Sequence, residues 1–146
     1  MNIVIIDDEK MAIDVLRIML EKLTQFTFCI KGTYTNVKDA FALFEKERVD
    51  VVFLDMEMID VHGLQVAKKL LVKYPNMQII FVTAHAKFAV DAFDIEATDY
   101  LLKPVRENRL LKAVIKVQQV FSLRQEMQSK KMNYICTHIL LVAFVF

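Results

Sequence analysis

Four short apolar runs punctuate the chain, at residues 3–6, 51–54, 79–82 and 100–102, and each is ended by a polar residue. They are rich in β-branched and aromatic side chains, and an unbroken apolar run of this length suits a strand covered on both faces. A fifth segment, 26–30, sets Thr27 among apolar residues and predicts a strand nearer a sheet edge. Between these runs the apolar positions recur at helical spacing. The sets are Met11, Val15, Ile18 and Met19; Val37, Phe41 and Phe44; Leu64, Ala67, Leu70 and Leu71; Phe88, Ala89, Ala92 and Phe93; and Leu110, Leu111, Val114, Val117 and Phe121. Punctuation agrees: Asn36 can cap the second helix, Tyr74-Pro75-Asn76 ends the third, and Pro104 stands where a helix interior would not tolerate it. Five strands alternating with five helices need crossover connections, and right-handed crossovers place helices on both faces of a parallel sheet. The pattern therefore predicts a doubly wound α/β fold, in which ligands bind beyond the carboxyl ends of the strands.

Composition narrows the picture. A length of 146 residues allows one domain plus an appendage, and 55% apolar with 25% dispersed charged residues describes a globular chain with a well-filled core. The net charge of +1 comes without a basic block, so no direct contact with nucleic acid is expected of this chain. Cys29 and Cys136 have neither metal-ligand spacing nor a disulfide framework and are expected to be free, buried thiols in a reducing compartment. The first apolar run leads directly into Asp7-Asp8-Glu9, unlike a signal peptide, which favours a cytoplasmic protein. After Phe121 the last helix is expected to extend through Arg124 and Met127 toward Lys131 as a polar linker. The apolar tail 133–146 is too short to span a bilayer. It has strand propensity and no charge, an aggregation hazard unless it packs on the domain or on a second copy.

Chemistry collects at the carboxyl edge, where the predicted strands end at Asp7-Asp8, Asp55, Thr83 and Lys103-Pro104. Singly, each residue has a structural role available: Asp8 as a helix cap, Asp55 in a turn, Thr83 at a strand end, Lys103 at the surface. Together, three carboxylates repel one another, and the repulsion is relieved by raised pKa values or by a cation. Mg²⁺, a hard ion that favours oxygen ligands, suits the set. Lys103 supplies a fixed positive charge and Thr83 a hydroxyl, the groups needed to hold phosphoryl oxygens once a carboxylate acts as nucleophile. The joint pattern points to phosphoryl transfer to an aspartate.

These motifs resemble the receiver domains of two-component response regulators over about residues 1–121. The likeness lies in Ile5-Ile6-Asp7-Asp8-Glu9, in Asp55 closing Val51-Val52-Phe53-Leu54, in Gly63, in Thr83-Ala84, and in Asp99-Tyr100-Leu101-Leu102-Lys103-Pro104. The resemblance implies a five-stranded sheet in the flavodoxin-like order 2-1-3-4-5; residues 122–146 lie outside it and are expected to form a helix extension or linker and an apolar tail, with no output domain expected within these residues. It implies that Asp55 accepts a phosphoryl group from a sensor histidine kinase. Asp8, Asp55 and the backbone carbonyl of Glu57 would hold Mg²⁺, with Asp7 assisting through water. Lys103 and Thr83 would bind the phosphoryl oxygens, and Tyr100 would turn inward as Thr83 moves. A cis Lys103–Pro104 bond is implied as well. Activation would change the face made by the fourth helix, fifth strand and fifth helix, where Lys87, Asp91, Asp94, Glu96, Arg106, Arg109 and Lys116 are expected to be exposed and to support a homodimer that controls an output, transcription above all. The segment 81–100 looks like two subgroups in particular, the autolysin-regulator class and a class with a helical-repeat activator domain.

Two features depart from the family pattern or add to it. Ile59 stands where a proline is common, and Glu57 and His85 occupy positions that tune the lifetime of the phosphorylated state. On this reading the chain is a switch and not an enzyme with an external substrate, catalysing only its own phosphotransfer and dephosphorylation. Three alternatives compete. A haloacid-dehalogenase-type phosphatase would need a second Asp where Glu57 stands; a flavodoxin-like electron carrier would need a phosphate loop after the first strand; a degenerate receiver would bind partners without phosphate.

Overall fold

The computed structural model describes residues 1–145, and the side chains of residues 1–140. Among these, five strands alternate with five helices: β1 Asn2–Ile6, α1 Lys10–Glu21, β2 Cys29–Tyr34, α2 Val37–Phe44, β3 Val51–Asp55, α3 Gly63–Lys73, β4 Gln78–Thr83, α4 Ala89–Asp94, β5 Asp99–Leu102 and α5 Glu107–Val145. A short 3-10 turn, Ala86–Phe88, leads into α4. All pairings are parallel, in the order β2-β1-β3-β4-β5. Order and fold class are those expected from the sequence.

The three central strands carry uninterrupted apolar residues because helices cover both of their faces. On one face Ile3, Ile5, Phe53, Ile80 and Val82 pack with Ile13, Leu16 and Leu20 of α1 and with Leu110, Val114 and Val117 of α5. On the other, Val4, Ile6, Leu54 and Phe81 meet Phe44 of α2, Ala67 and Leu70 of α3 and Ala92 of α4. Successive strand residues point to opposite faces, so each run divides its side chains between two cores. Asn36 caps α2, its side chain accepting from the Asp39 amide at 2.9 Å. The Lys103–Pro104 peptide is cis, as the motif implies.

Several expectations are corrected. β2 begins at Cys29, three residues later than predicted, because Phe26 and Phe28 stack on each other and against the core before the strand pairs with β1. In α1 the buried face is Ile13, Leu16, Met19 and Leu20, while Met11, Val15 and Ile18 lie outside. Both stripes have helical spacing, and only tertiary contact decides between them. Phe93 of α4 is likewise outside, 84% exposed. Cys29 and Cys136 are free but exposed, the first because β2 is an edge strand and the second because it lies on the projecting part of α5. The last helix extends through Arg124 and Met127 toward Lys131 as expected, but the tail expected to be strand-prone also continues it as helix, to Val145. Residue 146 lies outside the described residues. Among those described, no helix is long and apolar enough to cross a membrane.

Candidate functional site

β1 and β3 are neighbours in register, Ile6 beside Leu54, so their carboxyl ends deliver Asp7, Asp8 and Asp55 to one place. Asp7, Asp8 and Asp55 each offer a carboxylate oxygen, and these three atoms lie within 4.8 Å of one another. Asp7 and Asp55 are buried and Asp8 is half-buried. β4 and β5 add Thr83, fully buried, and Lys103, whose amide donates to the Thr83 carbonyl at 2.8 Å. The Lys103 ammonium stands 2.7 Å from Asp7 and 3.4 Å from Asp55.

Backbone amides hold each carboxylate. Asp7 accepts from the Glu9 amide, Asp55 from that of Glu57 at 3.2 Å, and Asp8 from that of Ile59 at 3.0 Å. Asp8 thus ties to the loop after β3 and does not cap α1, whose first turn has no side-chain cap. That loop folds back tightly: the Gly63 amide donates to the Met56 carbonyl at 2.7 Å. A Cβ at Gly63 would stand 2.2 Å from the Asp55 carbonyl oxygen, so only glycine lets α3 begin so close to the acidic strand end.

Burial and the neighbouring Asp7 charge raise the Asp55 carboxyl to about 6, against the opposing pull of Lys103. Burial alone would lower Lys103, but its bond to Asp7 and the charges of Asp55 and Glu9 hold it above the ordinary lysine value. A site with this much uncompensated acid chemically fits a hard cation: its donors are carboxylate oxygens of the kind Mg²⁺ takes.

Over the site, the side chain of Glu57 turns away from the three aspartates. Its carboxylate lies 2.8 Å from His85 Nε2 and 3.8 Å from Lys87 Nζ. The His85 amide donates to Thr83 Oγ1 at 3.4 Å, and the Tyr100 hydroxyl donates to the His85 carbonyl. Thr83 and Tyr100, paired in the motif, are therefore joined through one residue of the β4–α4 loop. Burial, then the Glu57 charge, raises the Tyr100 phenol. Behind it Arg109 grips Asp99 with two bonds, at 2.5 and 2.8 Å, and Lys116 lies 3.3 Å from the same carboxylate. These ion pairs outweigh burial and hold Asp99 below the ordinary aspartate value. Arg109, expected to be exposed, is half-buried against β5, whereas Lys116 is exposed as expected and reaches the same carboxylate from the surface.

The structure brings together Asp7, Asp8, Asp55, Thr83 and Lys103; the Glu57 carboxylate stands apart. Sequence reasoning missed Glu9, 3.6 Å from Lys103, and the Glu57–Lys87 contact. Glu9 carried a signal, as the third acid of its run. Lys87 carried none, because its approach depends on the course of the 3-10 turn.

Residues 3–115 match the family model described as the response regulator receiver domain. The chain is 37% identical over 129 residues to the sensory transduction protein LytR of Staphylococcus saprophyticus, covering 88% of this chain and 50% of that protein. It is 36% identical over 116 residues to the positive alginate biosynthesis regulatory protein of Pseudomonas aeruginosa, covering 80% and 46%. The chain thus spans about half the length of these curated relatives. Among solved structures it resembles the response regulatory domain of mrkE from Klebsiella pneumoniae, with a TM-score of 0.73 at 28% identity, covering 86% of this chain and 99% of that one. The match to the family model over most of the chain, the 37% identity and the sheet order agree that the chain belongs to the response regulator receiver domain family.

Proposed function

We propose that Asp55 is the phosphoryl acceptor and that its modification switches the face formed by α4, β5 and α5. The observation that carries the reading is the placement of the Lys103 ammonium between Asp7 and Asp55, at a strand edge that also presents Thr83. A carboxylate oxygen of Asp55 attacks the phosphorus of a phosphohistidine donor, the phosphorus–nitrogen bond breaks, and an acyl phosphate remains on Asp55. Lys103 holds one phosphoryl oxygen by charge, and Thr83 donates its hydroxyl to another. Mg²⁺, held by Asp8, Asp55 and the Glu57 carbonyl with Asp7 assisting, would neutralise charge on the transferring group. Hydrolysis ends the signal when water attacks the same phosphorus, and Glu57 and His85 flank that approach.

A sensor histidine kinase is the proposed donor, which places the reaction in the cytoplasm. The apolar stripe Met11, Val15 and Ile18 on α1, together with Ile59, exposed 90%, gives such a partner a greasy rim beside Asp8. Relatives named as transcriptional or sensory transduction regulators suggest transcription as the output. Treatment with acetyl phosphate and Mg²⁺ is expected to add one phosphoryl group to the intact mass, and Asp55→Asn to abolish the gain. Undiminished labelling of Asp55→Asn would overturn the assignment.

A further inference from the structure

From Gln125 to Leu140, α5 stands clear of the domain, and every residue of that stretch is exposed. Its exit is fixed by Arg124, which donates to the Asn76 carbonyl. With the Gln78 amide oriented to suit both neighbours, its oxygen accepts from Arg124 at 2.9 and 3.1 Å and its nitrogen donates to Thr98 Oγ1 at 2.6 Å. A helix surrounded by water is marginal on propensity alone, and this one also exposes large apolar side chains. Leu123, Met127 and Tyr134 are 59%, 70% and 64% exposed. With Val120 they follow the seam of a heptad repeat: Val120, Met127 and Tyr134 fall at its a positions and Leu123 at d.

Charge selects the occupant. In this register Glu126 falls at g and Lys131 at e of the next heptad. When two copies run parallel, a g residue faces the e residue five positions on in the other helix, so each Glu126 meets a Lys131 of opposite sign. An antiparallel pair would set like charges against each other. Lys130 and Thr137 occupy the remaining d positions and weaken the seam, so the association is a modest one.

We propose that the projecting part of α5 pairs in parallel with the same helix of a second copy. The seam continues the α5 stripe of Lys116, with Val120 and Leu123 in a groove shared with Glu96, but from Met127 onward it lies clear of the α4–β5–α5 face, and the pairing does not depend on phosphorylation, so it stands apart from the function proposed above. It would place the carboxyl-terminal ends of two copies side by side.

The test uses the whole chain with Cys29→Ser and Cys136→Ser, adding one cysteine at a time. Under mild oxidation Met127→Cys and Tyr134→Cys should cross-link at least tenfold faster than Gln125→Cys and Met132→Cys, which lie on the far side of the register. In sedimentation of unphosphorylated protein, Glu126→Lys and Lys131→Glu should each weaken the dimer fivefold or more, and the double exchange should restore it. Cross-linking as fast at Gln125 or Met132 as at Met127 would overturn the proposal. So would a monomer at all concentrations, or a double exchange no tighter than the single ones.

Discussion

At the scale of residues, Asp55 and Lys103 set the site's energetics. The Asp55 carboxyl titrates near 6 in the folded chain, against about 3.9 for an unfolded aspartate. Folding therefore opposes its ionisation. Below about pH 4 both states hold the proton and no penalty exists; above about pH 6 the penalty is complete, on the order of 3 kcal/mol. In EDTA, Asp55→Asn should accordingly raise Tm at pH 8 and leave it nearly unchanged at pH 4. Mg²⁺ should stabilise the unmodified protein at pH 8 and the Asn variant much less. An equal Tm gain at both pH values would show that Asp55 is not strained by its charge. The five residues that converge were legible in the sequence because each ends an apolar run, and a parallel sheet aligns its strand ends. The partners of Glu57 were not, since they depend on how the β4–α4 loop turns back over the edge.

Among the elements, the buried strands were the most legible, because a run covered on both faces admits little but apolar residues. The edge strand β2 was displaced because the alternation of Phe26, Phe28 and Ile30 starts before pairing does. Helix α1 shows a deeper limit: two apolar stripes share its surface, and periodicity alone cannot tell core from rim. The rim stripe carries a prediction. Met11→Lys and Val15→Glu should leave labelling by acetyl phosphate unchanged while slowing phosphotransfer from a cognate kinase tenfold or more, measured with radiolabelled kinase. Equal loss with both donors would place α1's effect on the acceptor chemistry instead of on docking.

For the whole molecule, the question is how a charge at one strand end reaches a surface. Phosphorylation of Asp55, as proposed, would add close to two negative charges beside Thr83 and Lys103, and those contacts would favour a conformation only through their differential strength in two states. Thr83 is tied to the β4–α4 loop, that loop to Tyr100, and β5 to α5 through Asp99, Arg109 and Lys116. The same face exposes Val90 and Phe93 beside Lys87, Asp91, Asp94, Glu96 and Arg106, suited to a two-fold contact with an apolar centre and a mixed-charge rim. Sedimentation should show a dimer that tightens on phosphorylation, loosens at high salt and loses its response in Tyr100→Ala. An identical distribution in all these states would reject this route.

All of this rests on the identity of the acceptor. Borohydride reduces an acyl phosphate on aspartate to homoserine, which marks the modified position permanently. After phosphorylation and reduction, peptide mass analysis should find homoserine at position 55 and nowhere else. Homoserine at position 7 or 8, or a phosphoryl group that resists reduction and maps to Thr83 or His85, would contradict the account.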